Sequence, residues 1–334
     1  MFKKFIFPLI IIVLLIFGFG IYTFWNESFK PVSTQIMTTD FVITKGSGAI
    51  QIASKLQKTG LIKNALVFRI YTKLTGLESK IQAGQYELSP SMSLIKIVNE
   101  LVSGPKLVWV TIPEGLRREE ILQKFIDGFK LTDEEEATFR QQFLALTKNK
   151  EGYLFPDTYL LPKTTTAEKA VNLLTSTFTK KTASVGNLTY KNIDQDQVIT
   201  MASLLERETF TDEEKPIVAG IIMNRLENGW PLQIDATIQY AMANRDCANN
   251  VSDCSDWWPQ ITRNDIEIKS AYNTYKNVGL PPTPISSPGL ETIKAVLNPQ
   301  SSDYFFYMHD TKGVIHYAKT LEDHNANVRK YLGK

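Results

Sequence analysis

The most apolar stretch of the chain comes first. Phe5 to Trp25 is a run of 21 residues without a charge, rich in Ile, Leu, Val and Phe. A helix needs about 20 such residues to cross a bilayer. Lys3 and Lys4 precede the run, and Glu27 is the next charge. Positive residues favour the cytoplasmic side, which predicts a short inner tail at residues 1–4 and everything from Glu27 onward outside. The run exceeds the core of about 7–15 residues of a cleaved signal peptide, and no small-residue cleavage site follows. A retained anchor is therefore expected over residues 5–25.

A polar spacer rich in Ser and Thr covers residues 26–40, and then the apolar period shortens. Phe41-Val42-Ile43-Thr44 reads as a strand and Lys45-Gly46-Ser47-Gly48 as a turn. Ala49, Ile50, Ile52, Ala53 and Leu56 recur at helical spacing up to Gly60, and a second apolar helix is predicted over Ala65–Leu74. Ile81–Leu88 reads as a returning strand. The pattern is a strand–helix–helix–strand unit with a small core. Ser93–Val102 is a further amphipathic helix, stopped by Gly104-Pro105. Leu107–Ile112 alternates as a strand, and Arg117–Phe129 is helical. Strand, glycine turn and helix partly echo the first unit, but no fixed period makes a solenoid.

Glu151 to Tyr159 packs three aromatics, a proline and two carboxylates into nine residues. It reads either as a loop whose aromatics plug a domain junction or as a contact for carbohydrate or peptide, because aromatic faces suit sugar rings.

The C-terminal half holds the candidate chemistry. Asp194 to Thr209 is predicted to be helical, with Asp194 as its cap and Gln197 three residues on. Met201, Leu204 and Leu205 form an apolar stripe whose next member, Glu208, is a carboxylate. Glu206 and Arg207 fall beside the stripe. An ionised carboxylate is costly to bury, so Glu208 is expected to favour its neutral form, which is what the general acid of a glycosidase requires. The alternative is a helix-end Glu that swings to solvent or pairs with Arg207 or Arg225. Thr211-Asp212-Glu213-Glu214 reads as a capping box for a second helix that Asn228-Gly229 stops. Gln233, Asp235 and Thr237 alternate as if on one face of an extended stretch, with Asp235 a candidate second carboxylate.

Tyr272–Tyr275 leads to a proline-rich loop, Gly279–Gly289, whose prolines pre-set the backbone. Leu290–Leu297 is a short helix. Tyr304–Met308 and Val314–Ala318 form a hairpin. His309, His316 and His324 match no standard zinc spacing, and structural roles are expected for them.

Composition narrows these readings. The chain has 334 residues, 43% hydrophobic and 22% charged, which suits two or three globular domains and excludes a disordered chain, a rod or a multi-span membrane protein. Thirty-seven basic against 35 acidic residues give a net charge of +2, no case for nucleic acid as a partner. Two cysteines are too few for a disulfide scaffold or a four-cysteine zinc site. In an exported domain Cys247 and Cys254 either bridge, stapling a surface loop, or stay free; the compartment favours the bridge. No metal site or cofactor is expected. No Ser-His-Asp or zinc signature supports a protease.

Several ordered blocks carry a family resemblance. They are Ala202–Thr209, Asn224-Arg225-Leu226, Leu232–Thr237, Tyr272–Tyr275 with Gly279–Pro282, Glu151-Gly152 with Phe155–Tyr159, and His316 with His324-Asn325. The sequence resembles the MltG-type (YceG-like) endolytic murein transglycosylases over nearly its whole length, anchor included. Ala236 stands where that family often has Pro, and the Cys247–Cys254 stretch looks like a local insertion.

The resemblance implies an α+β fold behind a single transmembrane helix. A LysM-like module would cover residues 41–105, a second small α+β module 106–162, and a catalytic α+β domain 163–334. It places the chain in the bacterial cytoplasmic (inner) membrane by one pass. Its substrate would be peptidoglycan glycan strands, with peptidoglycan synthases as neighbours. The implied reaction cleaves the MurNAc-β-1,4-GlcNAc bond without water, leaving 1,6-anhydro ends. Glu208 would act as acid and then base, with Glu206 the less favoured alternative. Gln233, Asp235, Thr237, Asn273 and Tyr275 would bind substrate or orient the acid. Two other expectations stand beside this one: a hydrolase using Glu208 and Asp235, and a non-catalytic peptidoglycan-binding scaffold of the cell-wall synthesis machinery.

Overall fold

The structure, a computed structural model, describes residues 18–35, 37–247, 254 and 256–333. Within them the fold is mixed α+β and divides into two compact units. One is built from residues up to Trp109 and from Leu160–Thr164, the other from Val110–Tyr159 and Thr165–Lys334.

In the first unit, β1 (Thr39–Ile43) pairs antiparallel with β2 (Gly84–Leu88), Phe41 opposite Tyr86. The intervening chain forms α1 (Ala49–Lys58) and α2 (Ala65–Leu74), and α3 (Leu94–Ser103) follows β2. The expected strand–helix–helix–strand order is therefore present. Strand alternation turns Phe41 and Ile43 inward, where they meet Ile52 and Leu56 of α1, Val67 and Phe68 of α2, and Ile97 and Leu101 of α3. Asn64 caps α2 by accepting from the amides of Leu66 and Val67, and Ser93 caps α3. Gly84 sits at φ +143° against Pro105, whose ring would lie 2.3 Å from any Cβ there. The larger sheet runs β1-β2-β3-β4, with β3 at Leu107–Thr111 and β4 at Thr158–Pro162.

No helix among the described residues is long and apolar enough to cross a membrane. Most of the expected span at residues 5–25 lies outside them. Residues 18–29 are helical; Trp25 packs tilted on Phe29, which meets Tyr71 of α2 edge-on.

The second unit carries α4 (Arg118–Phe129) and α5 (Asp133–Leu146), joined by a cluster of Phe125, Phe129, Phe139 and Phe143, and α6 (Ala167–Thr182), which packs on α5. Its centre is α7 (Gln195–Glu208), buried from Val198 through Leu205. Three helices pack on α7: α8 (Lys215–Glu227), α9 (Asp235–Asp246) and α10 (Leu290–Leu297). Gly220 of α8 lets the chain at Gln300 pass close by; a Cβ there would lie 2.1 Å from the Gln300 carbonyl oxygen. A two-stranded hairpin, β5 (Phe306–His309) and β6 (Ile315–Ala318), and α11 (Leu321–Leu332) complete the unit.

Two local expectations change. Residues 235–237 are the first turn of α9, not an extended stretch. Ala236, Ile238, Tyr240 and Ala241 are buried, and their helical spacing outweighs the alternation read from Gln233, Asp235 and Thr237. The α8 helix starts at Lys215 with Pro216 in its first turn. Glu214 accepts from the Phe210 amide, so the predicted Thr211–Glu214 capping box is not formed.

Candidate active site

Because α7 is buried nearly all round, its C-terminal turn decides which polar side chains meet solvent. Residues two apart on a helix point about 200° from each other. Glu206 and Glu208 therefore leave α7 on opposite sides.

Glu206 turns into protein. Its carboxylate accepts from the Gly289 amide at 2.8 Å and the Thr292 hydroxyl at 2.5 Å, and Lys215 Nζ lies 3.6 Å away. Those partners form the start of α10 and of α8, so Glu206 caps one helix and pairs with another. Its side chain is 8% exposed.

Glu208 turns into a cavity of about 390 Å³. Its walls include Arg225 of α8, Gln233, Asp235, Tyr275 and the whole of β5, with Leu321 and His324 of α11. The Tyr307 hydroxyl donates to Glu208 Oε2 at 2.8 Å. Burial among these groups pushes the Glu208 carboxyl up to about 7, and the Asp235 charge adds to the rise. The Tyr307 hydrogen bond and the charges of Arg225 and Arg207 oppose it. The position at the carbonyl end of α7 also disfavours an anion.

Neither arginine forms an ion pair with Glu208 among the described residues. Arg207 stacks over Trp258, 3.9 Å from the ring centroid. Arg225 donates through Nε to the Phe305 carbonyl at 2.7 Å and through Nη1 to the Leu232 carbonyl. Arg225 thus joins α8, the Leu232 turn and β5 while lining the cavity.

Asp235 faces the cavity from the first turn of α9, and its Oδ1 accepts from the Tyr275 hydroxyl at 2.5 Å. Tyr275 is placed there by Asn273. The Asn273 amide nitrogen donates to the carbonyls of Ile266 and Ile268, and its oxygen accepts from the Tyr275 amide. Gln233, also on the wall, holds a left-handed backbone at φ 53°. That conformation is secured on both sides, because the Gln233 amide donates to the Thr274 carbonyl and the Ile234 amide to the Thr274 hydroxyl.

Of the residues expected from sequence, Glu208, Gln233, Asp235 and Tyr275 come together around one space. Thr237 and Asn273 do not line it. Both are fully buried: Thr237 donates to the Ile234 carbonyl and meets Thr274, while Asn273 ties its own loop. Their polar groups are spent on the backbone, so they build the wall without facing the cavity. Glu206 is likewise outside it.

Tyr307, His309 and His324 were absent from the sequence candidates. His309 meets Glu214 at 3.2 Å, and His316 meets Asp310 at 3.1 Å. His324 lines the cavity, and its Nδ1 is buried without a hydrogen-bond partner among the described residues. No group of three or more His, Cys, Asp or Glu side chains placed to hold a metal occurs among the described residues.

A second cavity, about 560 Å³, lies elsewhere in the same unit and includes Arg118, Glu151, Tyr153, Tyr240 and Tyr272. Glu151 is buried beneath it, its carboxyl pushed upward by burial and by Glu119. Leu154, Phe155 and Tyr159 are core residues, so the Glu151–Tyr159 segment mainly packs the unit. A disulfide joins Cys247, just after α9, to Cys254.

The model of the YceG-like family matches residues 41–330. The chain belongs to that family. A YceG-like protein of Listeria monocytogenes, known from a crystal structure, superposes with a TM-score of 0.56 at 30% identity, covering 87% of this chain and 99% of that one. Two curated relatives are each named endolytic murein transglycosylase. The Bacillus subtilis protein is 30% identical over 94% of this chain and 90% of its own length. The Streptococcus pneumoniae protein is 31% identical over 94% of this chain. The chain spans 62% of the length of that pneumococcal relative.

Proposed function

We propose that this YceG-like chain is a lytic transglycosylase that cuts peptidoglycan glycan strands internally, between MurNAc and GlcNAc, with Glu208 as the sole acid and base. The observation that carries the reading is the state of Glu208. It is a carboxyl on a cavity wall, held by the Tyr307 hydroxyl at 2.8 Å, and its burial pushes it up to about 7. The names of the two bacterial relatives support the substrate.

The chemistry then follows from one group. Neutral Glu208 gives its proton to the glycosidic oxygen as the bond from the MurNAc anomeric carbon breaks. The MurNAc 6-hydroxyl attacks that carbon and closes the anhydro ring, and its proton passes to the Glu208 carboxylate. The acid is regenerated, and no water is consumed. The nucleophile belongs to the substrate and is already near, so a second catalytic carboxylate is not required for attack. Asp235, held by Tyr275, is suited to stabilise the positive charge that develops on the cleaved sugar. Tyr307 orients Glu208 and keeps the carboxylate form accessible for the second half of the cycle. Gln233 offers an exposed amide to sugar hydroxyls.

The uncharged run over residues 5–25 supports an anchor in the cytoplasmic membrane, with this site outside. There it meets strands as peptidoglycan synthases deliver them. The strand–helix–helix–strand unit is read as a LysM-like glycan-binding module. Mass spectrometry of strands digested by the purified chain tests the reaction: 1,6-anhydro ends are expected. Reducing ends would mean a hydrolase using Glu208 and Asp235, and binding without products would mean a scaffold.

A further inference from the structure

The Glu208 cavity is flanked by aromatic rings that are held in place yet left open to solvent. Phe210, two residues beyond Glu208, is 69% exposed. Its ring lies 4.3 Å, centroid to centroid, from His309, and it covers the turn at Gly313. Trp230, after α8, is 42% exposed and packs against Phe305, tilted, at 4.8 Å between centroids and against Phe306, edge-on, at 6.0 Å. Phe306 and His309 are the two ends of β5, and both line the cavity. At strand spacing they stand about 10 Å apart. Tyr307, which holds Glu208, lies between them. Along the strand the order is Phe306 with Trp230, Tyr307 with the acid, and His309 with Phe210; alternation turns Phe306 to the opposite face from Tyr307 and His309, so a chain meeting both rings would follow the edge of β5 away from β6.

We propose that Trp230 and Phe210 are stacking platforms for sugar rings on opposite sides of the bond being cut, with the glycan lying along β5. The proposal rests on the reading of the cavity as a glycan-cleaving site. Exposed aromatic rings lose the benefit of burial, and here tilted and edge-on ring contacts hold both rings while much of each stays open to solvent. Sugar rings offer apolar C–H faces to such platforms, while Gln233, Asp235 and His324 supply polar contacts between them. A ligand confined to the cavity would need neither platform. Rings beyond both ends suit a polymer that continues in both directions, which internal cutting requires.

The test uses the full chain and purified uncrosslinked glycan strands. Phe210→Ala and Trp230→Ala should each raise KM about 5- to 10-fold with little change in kcat, a loss matching one stacking contact. Phe210→Tyr and Trp230→Phe should restore most of it, and Phe210→Leu should not. In a Glu208→Gln background, which holds strands without cutting them, the tryptophan fluorescence of the chain should respond to added strands, and Trp230→Phe should abolish the Trp230 part of that response. Cleavage with unchanged KM in both alanine variants would overturn the platforms and leave the reaction standing. Platform-dependent binding without any cleavage would sink the reaction and leave the platforms. An equal KM for Phe210→Leu and the parent would show that apolar bulk, not a ring face, is what matters, and would also overturn the proposal.

Discussion

Two carboxylates leave the last turn of α7 toward opposite surroundings. On one side Glu206 meets an amide, a hydroxyl and an ammonium group, and its charge is used to hold α8 and α10. On the other, Glu208 meets a tyrosine hydroxyl and a nearby Asp, and its charge is resisted. The side chains are identical and the backbone positions nearly so. What separates a stabilising residue from a reactive one is the set of groups that the rest of the chain brings to each face.

The sharpest test of that contrast is activity. Glu208→Gln should lower the rate of anhydro-end formation by about 10³-fold, within the range attributed to one general acid and base. Glu206→Gln should retain kcat at temperatures where the variant stays folded. The opposite pattern would break the comparison outright.

Stability should show the inverse. Glu206→Ala leaves the Gly289 amide and the Thr292 hydroxyl without their acceptor, while Lys215 keeps Asp212 at 2.7 Å, and a loss of about 1–3 kcal/mol is expected from urea unfolding. Glu208→Gln should instead stabilise the fold, but only at higher pH. The folded-state value of about 7 lies above the ordinary value of 4.5. Below that ordinary value both states hold the proton and nothing is lost. As pH rises toward 7 the unfolded chain gives up its proton first, and the folded state is penalised. Well above 7 the penalty is full, on the order of 3 kcal/mol, and the Gln variant should recover it. Equal unfolding midpoints for variant and parent at about pH 8 would contradict this.

The smallest effect sharpens the Glu208 side alone. Tyr307→Phe removes a hydrogen bond that favours the carboxylate, so the alkaline limb of the pH–rate profile should move up by up to about one unit. A shift downward would mean that Tyr307 favours the neutral acid.

The sequence showed Glu208 because Met201, Leu204 and Leu205 defined a stripe that it interrupts, a signal contained within one helix. It could not show what Glu206 does, because Gly289 and Thr292 lie 83 and 86 residues further along the chain. Tyr307 was hidden for the same reason, since it lies 99 residues beyond Glu208; Arg225 was legible as a possible ion-pair partner of Glu208, but not its bond to the Phe305 carbonyl 80 residues on. Thr237 and Asn273 read as ligand contacts because polar residues beside an expected site look alike, whether they face solvent or a backbone carbonyl. The first unit was more legible. Its strand alternation and helix caps are local, and Asn64 and Ser93 mark their helices within three residues. In α5 only Phe139 and Phe143 are buried, too thin a stripe to stand out from its acidic first turn.

The placement of the acid at the end of a buried helix sets how this gene can change length. Each residue added to or removed from α7 rotates everything beyond it by about 100°. One in-frame codon lost between Gln195 and Leu205 would swing both glutamates away from their partners. A two-residue insertion there would advance the position now held by Glu206 into the place of Glu208. Loops such as Gly186–Ile193 can lengthen without that consequence. Across related genes the spacing within α7 should therefore be fixed, and insertions should collect outside it.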